Sequence, residues 1–178
     1  MLQEKYKKEI VSLMKEKFGY KNNLAVPKIK KVVVNIGTGS FSKDEQTRQL
    51  IVKDLTLITG QKPVSTLSKK DISAFKIRQG MVVGMKVTLR GKRMFDFISR
   101  LINIVLPRTR DFRGLSPDSI DKSGNLNIGI REHIIFPELS GEDIKKIFGL
   151  EVTIVTDAKK REEATELFKL IGFPIKSE

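Results

Sequence analysis

Ten residues, Met81 to Arg90, restrict the fold more than any other stretch. Met81, Val83, Met85, Val87 and Leu89 alternate with Val82, Gly84, Lys86, Thr88 and Arg90. Successive side chains of a strand point to opposite faces. One face is therefore continuously apolar, and the other is half polar and basic. Such a strand needs a sheet with one covered face and one face open to solvent or to RNA.

Other segments supply its neighbours. The β-branched run Ile29 to Ile36 predicts a mostly buried strand, with Lys30, Val32, Val34 and Ile36 on one face and Lys31, Val33, Asn35 and Gly37 on the other. Asn35 is unusual in so apolar a strand, and its amide either reads a base or ribose or bonds the following turn. Gln61 to Leu67 predicts a short strand, and Pro63 marks an edge or a strand start. Leu126–Ile130 and Leu150–Val155 complete five.

Helical spacing of apolar residues predicts helices over residues 2–18, stopped by Gly19, and over about 44–58, ended by Gly60. Ser42 and Glu45 form a capping-box pattern before the second. Met94, Phe95, Ile98, Leu101, Ile102 and Val105 are in phase on a third helix, which Pro107 should end. Thr156 or Asp157 can cap a last helix that turns Ala164, Leu167, Phe168 and Ile171 inward. Gly172 and Pro174 close it. The order implies an α+β fold: an antiparallel-rich sheet of about five strands with helices packed on one face. A chain of 178 residues suits a single domain over 1–178 with long basic loops.

Charge narrows the function. Residues 62–113 hold thirteen Lys and Arg against three Asp, a net of +10, within a chain of net +13. Residues 114–178 carry a net of −3. This asymmetry is the electrostatic footprint of a nucleic-acid binder. Lys5, Lys7, Lys8 and Lys15 on the first helix either meet phosphate or form a solvated face. Ser68 to Gly80 carries Lys69, Lys70, Lys76 and Arg78 around Phe75. Cations there suit phosphates, and the ring suits a base unless it tucks into the core. Pro107 to Asn125 sets Arg108, Arg110 and Arg113 around Phe112, as an arginine-rich contact loop or as a solvated excursion.

Catalysis finds little footing. The chain lacks cysteine, which excludes disulfides and thiolate metal sites and is compatible with a reducing cytosol. It has one histidine, His133, expected to be structural, and no Gly-x-Ser-x-Gly elbow. Gly37 to Ser40 lacks the spacing of a nucleotide-binding loop. The charged N-terminus does not resemble a signal peptide, and apolar runs such as Leu101 to Leu106 are too short for a membrane span. The expectation is a cytoplasmic binding protein that is no enzyme and holds no metal or cofactor.

The segments KVVVNIG (31–37), TGQKPV (59–64), AFKIRQGMVVGMKVTLRGKRMFDFISRLINIVLPRTRDFRG (74–114) and GNLNIGIREHIIFPE (124–138) resemble the bacterial large-subunit ribosomal protein five family, the 5S rRNA-binding ribosomal proteins. The likeness runs essentially end to end, including the GFP near the C-terminus. It implies a structural role on the ribosome, in the central protuberance beside neighbouring proteins there. It implies contacts to 5S rRNA and large-subunit rRNA at Lys31, Asn35, Gln61, Lys62, Lys86, Thr88, Arg90 and Lys92. By the same likeness, Lys69, Lys70, Phe75, Lys76, Arg78 and Gln79 reach P-site tRNA. Arg108, Arg110, Asp111 and Arg113 lie at an intersubunit bridge to small-subunit head protein thirteen. A regulatory or chaperone-type RNA-binding protein of similar fold is the alternative, and an enzyme using Gly37–Ser40 is a distant third.

Overall fold

Five segments rich in β-branched residues form the strands β1 (Ile29–Gly37), β2 (Val64–Leu67), β3 (Val82–Leu89), β4 (Leu126–Ile130) and β5 (Leu150–Thr156). They make one five-stranded antiparallel sheet in the order β2-β3-β1-β5-β4, in an α+β fold. The structure is a computed structural model that describes residues 2–39, 44–139 and 146–176. Among the described residues four helices accompany the strands: α1 over 2–18, α2 (Glu45–Thr59), α3 over 91–108 and α4 (Arg161–Ile171). The chain divides into two compact units, one from 1–32, 89–128 and 153–178, the other from 33–88 and 129–152.

In the first unit Ile10 and Met14 of α1 are buried, as are Phe97, Ile98, Leu101 and Val105 of α3 and Ala164, Leu167 and Phe168 of α4. Helical spacing turns these inward except Phe97, which it misses, and it also points Leu13, Phe95 and Ile102 inward, of which Leu13 is exposed and Phe95 and Ile102 are half-buried. Gly19 ends α1 at φ +70, a left-handed conformation that costs glycine little, and its N–H donates to the Lys15 carbonyl at 2.9 Å. The Tyr6 hydroxyl donates to the Pro27 carbonyl at 2.9 Å. Burial, with Asp157 nearby, pushes its pKa up to about 12.

Pro107 does not end α3. The helix contains a π turn, Leu101–Val105, and resumes as Leu106–Arg108. The Leu106 N–H reaches back to the Leu101 carbonyl, so the ladder has slipped by one residue just before the proline. Pro107 then occupies the start of a new α-turn, where a missing N–H is tolerated. The cap of α4 also differs from expectation. Lys160 stands at the N-cap and its side chain makes no capping bond. Tertiary partners have taken the two candidates. The Thr156 hydroxyl donates to the Gly124 carbonyl at 2.7 Å, and Asp157 Oδ1 accepts from the Lys28 N–H at 2.6 Å. Glu162 and Glu163 in the first turn supply the negative charge that a helix start favours.

In the second unit Ile51, Leu55 and Ile58 of α2 are fully buried, alongside buried Val34, Ile36, Met85 and Val87. Asp44 is the cap of α2, accepting from the Thr47 N–H at 3.0 Å and from the Thr47 hydroxyl. These bonds to Thr47 hold the Asp44 carboxyl below its usual range. Ser42 lies outside the described residues. Gly60 ends the helix at φ +67. β2 begins only at Val64, directly after Pro63, which cannot donate to a ladder. It forms one edge of the sheet. Gly84 is required by close approach, since a Cβ there would lie 2.7 Å from Thr66 Oγ1 and 2.9 Å from the Ile36 carbonyl oxygen.

His133 is a structural residue, as expected. It is buried, stacked on Phe148 with ring centres 3.7 Å apart. Its Nδ1 accepts from the Phe148 N–H at 3.3 Å, which leaves the proton on Nε2, 3.4 Å from Asp54 Oδ2. Burial lowers its pKa from 6.5, and Asp54 acts in the opposite direction. The neutral ring is therefore the folded form. Its contribution to stability is complete above 6.5 and declines as pH falls below that value through the folded pKa. The melting temperature should drop between pH ~7.5 and ~5.5, and His133→Gln should flatten that part of the profile. A thermal melt series on both proteins checks this.

Candidate nucleic-acid interface

β1 and β3 each bury one row of side chains and leave the other uncovered. Val34 and Ile36 are buried on β1, whereas Val33 is half-buried and Asn35 and Gly37 are exposed. On β3, Met85, Val87 and Leu89 are buried, Lys86 is exposed and Thr88 half-buried. The alternation fails at the start of β1, where Ile29 is buried and Lys30 exposed, and at the start of β3, where Val82 and Val83 are both half-buried and Gly84 is buried. The β2–β3 register pairs Val64 with Lys86 and Thr66 with Gly84. Directly opposed residues share a face, so β2 extends the uncovered surface with Val64 and Thr66. Pairwise register, which sequence does not show, brings these two in.

Within the second unit this surface carries Asn35, Lys86 and Thr88, with Gln61 and Lys62 beside them. Gln61 Nε2 reaches the Thr88 carbonyl at 3.4 Å, which ties the α2–β2 turn to β3. Lys62 is exposed. The Asn35 amide makes no hydrogen bond among the described residues. In the first unit Arg90 and Lys92 are exposed and Lys31 is half-buried.

Ser68 to Met81 is a hairpin-like finger rather than a slack loop. The Ser68 N–H donates to the Met81 carbonyl at 2.8 Å and the Gly80 N–H to the Ser68 carbonyl at 3.0 Å. Ile72 and Ile77 exchange two bonds at 2.8 and 3.1 Å, and the Gln79 N–H donates to Asp71 Oδ1 at 2.6 Å. The tip is a single turn, Ser73–Phe75, followed by Lys76 at φ +53. Phe75 stands 74% exposed at that tip, so it does not tuck into the core. Lys69, Lys70, Lys76, Arg78 and Gln79 are exposed with it.

The arginine loop is likewise held at its base. The Leu115 N–H donates to the Pro174 carbonyl at 2.7 Å, and the Lys176 N–H donates to the Leu115 carbonyl at 2.9 Å. Leu115 and Ile120 are buried. Arg108, Arg110, Asp111 and Arg113 are exposed, with Asp111 in the left-handed region at φ +52. None of the three guanidiniums has an ion-pair partner among the described residues. Elsewhere in the first unit charges are taken: Arg161 pairs with Asp118 at 3.0 Å, and Lys17 with Glu166 at 2.7 Å. Among the described residues no group of three or more His, Cys, Asp or Glu can hold a metal ion, and no helix is long and apolar enough to cross a membrane.

A family model for the C-terminal part of the ribosomal L5 family matches residues 82–175, and one described as ribosomal protein L5 matches 22–78. The chain belongs to the ribosomal protein L5 family. The large ribosomal subunit protein uL5 of Halothermothrix orenii is 54% identical over 174 residues, covering 98% of this chain and 97% of the relative. That of Syntrophomonas wolfei is 54% identical over 175 residues, covering 98% of each. That of Carboxydothermus hydrogenoformans is 51% identical over 173 residues, covering 97% of each. The L5 family is one of structural ribosomal constituents of the large subunit, not of enzymes. The two matched segments adjoin at 78 and 82, where the finger returns into β3.

Proposed function

We propose that this L5-family chain binds 5S rRNA through the uncovered face of its sheet and helps attach it in the central protuberance. The finger at 69–79 contacts P-site tRNA, and the loop at 108–113 forms an intersubunit bridge to small-subunit head protein thirteen. The observation that carries the reading is an uncovered, half-polar sheet face with exposed Asn35, flanked by exposed cations. Such a face offers shape and base readout, while the cations supply phosphate affinity. The exposed Phe75, ringed by Lys76 and Arg78, offers a stacking surface beside phosphate-binding charge.

The test is a salt titration of binding to 5S rRNA beside an unrelated structured RNA of equal length. With roughly six phosphates neutralised, log K should fall with log salt at a slope of about −4 to −5. Preference for 5S rRNA should survive the added salt. Equal binding to both RNAs, vanishing together, would mean that charge alone is at work and would favour a regulatory or chaperone-type binder. Finger and sheet should also separate. Lys76→Ala or Arg78→Ala should weaken tRNA-related function and spare 5S affinity, and Asn35→Ala should do the reverse. Equal loss of 5S affinity in all three variants would sink that division.

A further inference from the structure

The finger at 68–81 carries one acidic residue, Asp71, among Lys69, Lys70, Lys76 and Arg78. On a surface that meets phosphate, such a carboxylate is repulsive. Asp71 is exposed, and among the described residues it makes no ion pair with any of the four cations. Its bond goes to the backbone instead: Oδ1 accepts from the Gln79 N–H at 2.6 Å.

That bond sits where the finger is otherwise open. The two arms are joined at the base, where Ser68 bonds Gly80 and Met81, and below the tip, where Ile72 and Ile77 exchange two bonds. Between these points, among the described residues, no backbone bond crosses from 69–71 to 78–79. The Ser68 hydroxyl donates to the Lys70 carbonyl and the Arg78 N–H to Met81 Sδ, so each arm there bonds within itself. The Asp71 carboxylate spans the gap. A two-stranded ribbon is marginal in water, so one such bond matters. The tip also carries strain. Lys76 takes φ +53, a conformation that a lysine keeps only where its surroundings hold it.

We propose that Asp71 is a positioning residue of the finger. By holding Gln79 it fixes the arm of Lys69 and Lys70 against the arm of Arg78, and it keeps Phe75 and Lys76 presented at the tip. This rests on the reading of the finger as a tRNA contact and adds a residue that acts through the others. A preformed finger binds without the cost of ordering itself. The same carboxylate opposes phosphate, so position and charge act in opposite directions, and substitution separates them.

Asp71→Ala removes both the bond and the charge, whereas Asp71→Asn removes the charge and keeps Oδ1 as an acceptor. In the free full chain, Asp71→Ala should speed hydrogen exchange of the Ile77 amide ~10-fold or more, as loss of a charge-assisted bond does, and Asp71→Asn should stay within ~3-fold of the parent. On ribosomes assembled with each chain, P-site tRNA should dissociate ~3-fold or more faster with Asp71→Ala, because fewer fingers are in the binding-competent form. That loss should occur although the Asp71→Ala finger is the more positive one. With Asp71→Asn dissociation should be no faster than with the parent. Lys76→Ala and Arg78→Ala on the same ribosomes test the contact itself. Slower or unchanged dissociation with Asp71→Ala would overturn the proposal, as would unchanged Ile77 exchange in that variant or equal damage from Asp71→Asn. Unchanged dissociation with both Lys76→Ala and Arg78→Ala would overturn the tRNA reading, and the proposal with it, even where Ile77 exchange had shown the clamp.

Discussion

Replacing Lys62 and Lys86 together by alanine is expected to weaken 5S rRNA binding about 25- to 60-fold at ~0.1 M salt. Both side chains are exposed in the second unit, and neither has an ion-pair partner among the described residues. Their charge is therefore available to phosphate. Each phosphate contact contributes a slope of about −0.7 on single strands to −0.9 on duplex, so at ~0.1 M salt each is worth about 0.7–0.9 log units. Two contacts give about 1.4–1.8 log units. The salt slope should shrink by the same ~1.4–1.8, which separates lost phosphate contacts from a damaged fold. The melting temperature should hardly move, because unpaired surface lysines add little to stability. A loss below about threefold, or an unchanged salt slope, would place the RNA elsewhere on the molecule.

Much of this surface was legible because a strand has period two. Met85 and Val87 buried beside exposed Lys86 is the pattern that alternation predicts, and it follows from local geometry alone. The stops at Gly19 and Gly60 were legible for a similar reason, since each helix end adopts a left-handed conformation that favours glycine. What stayed hidden depends on residues distant in sequence. Thr156 and Asp157 look like caps until Gly124 and Lys28 claim them. Pro107 looks like a helix end until a π turn moves the ladder past it. For the site, sequence places cations but does not say which are free. Arg161 is held by Asp118 and the Pro117 carbonyl, whereas Arg108, Arg110 and Arg113 are unpaired among the described residues. Whether Phe75 was core or tip was open too, because a lone aromatic between charges has no periodicity to orient it. The partners proposed for these surfaces come from the family likeness, since no charge pattern distinguishes 5S rRNA from tRNA.

Two phenylalanines with opposite exposure provide the sharpest test of where the core ends. Phe168→Ala is expected to cost about 3–5 kcal/mol, the range for removing a buried phenylalanine. Phe168 is fully buried on α4, beside Ala164, Leu167 and Ile171, and its ring meets Phe173 edge-on at 5.7 Å. The substitution leaves a void and also removes an aromatic pair worth about 0.5–1.5 kcal/mol beyond its area. A loss of that size is a large part of the ~5–15 kcal/mol that holds a typical domain together. Phe75→Ala should change stability by less than ~0.5 kcal/mol, since the ring at the finger tip has little packing to lose. Urea denaturation of both variants gives the comparison. A cost for Phe75→Ala comparable to that of Phe168→Ala would show that the ring is packed in solution, leaving no free aromatic for a base. A near-zero cost together with weakened tRNA-related function would mean that the ring is held out for a partner, at a position where burial would otherwise have stabilised the fold.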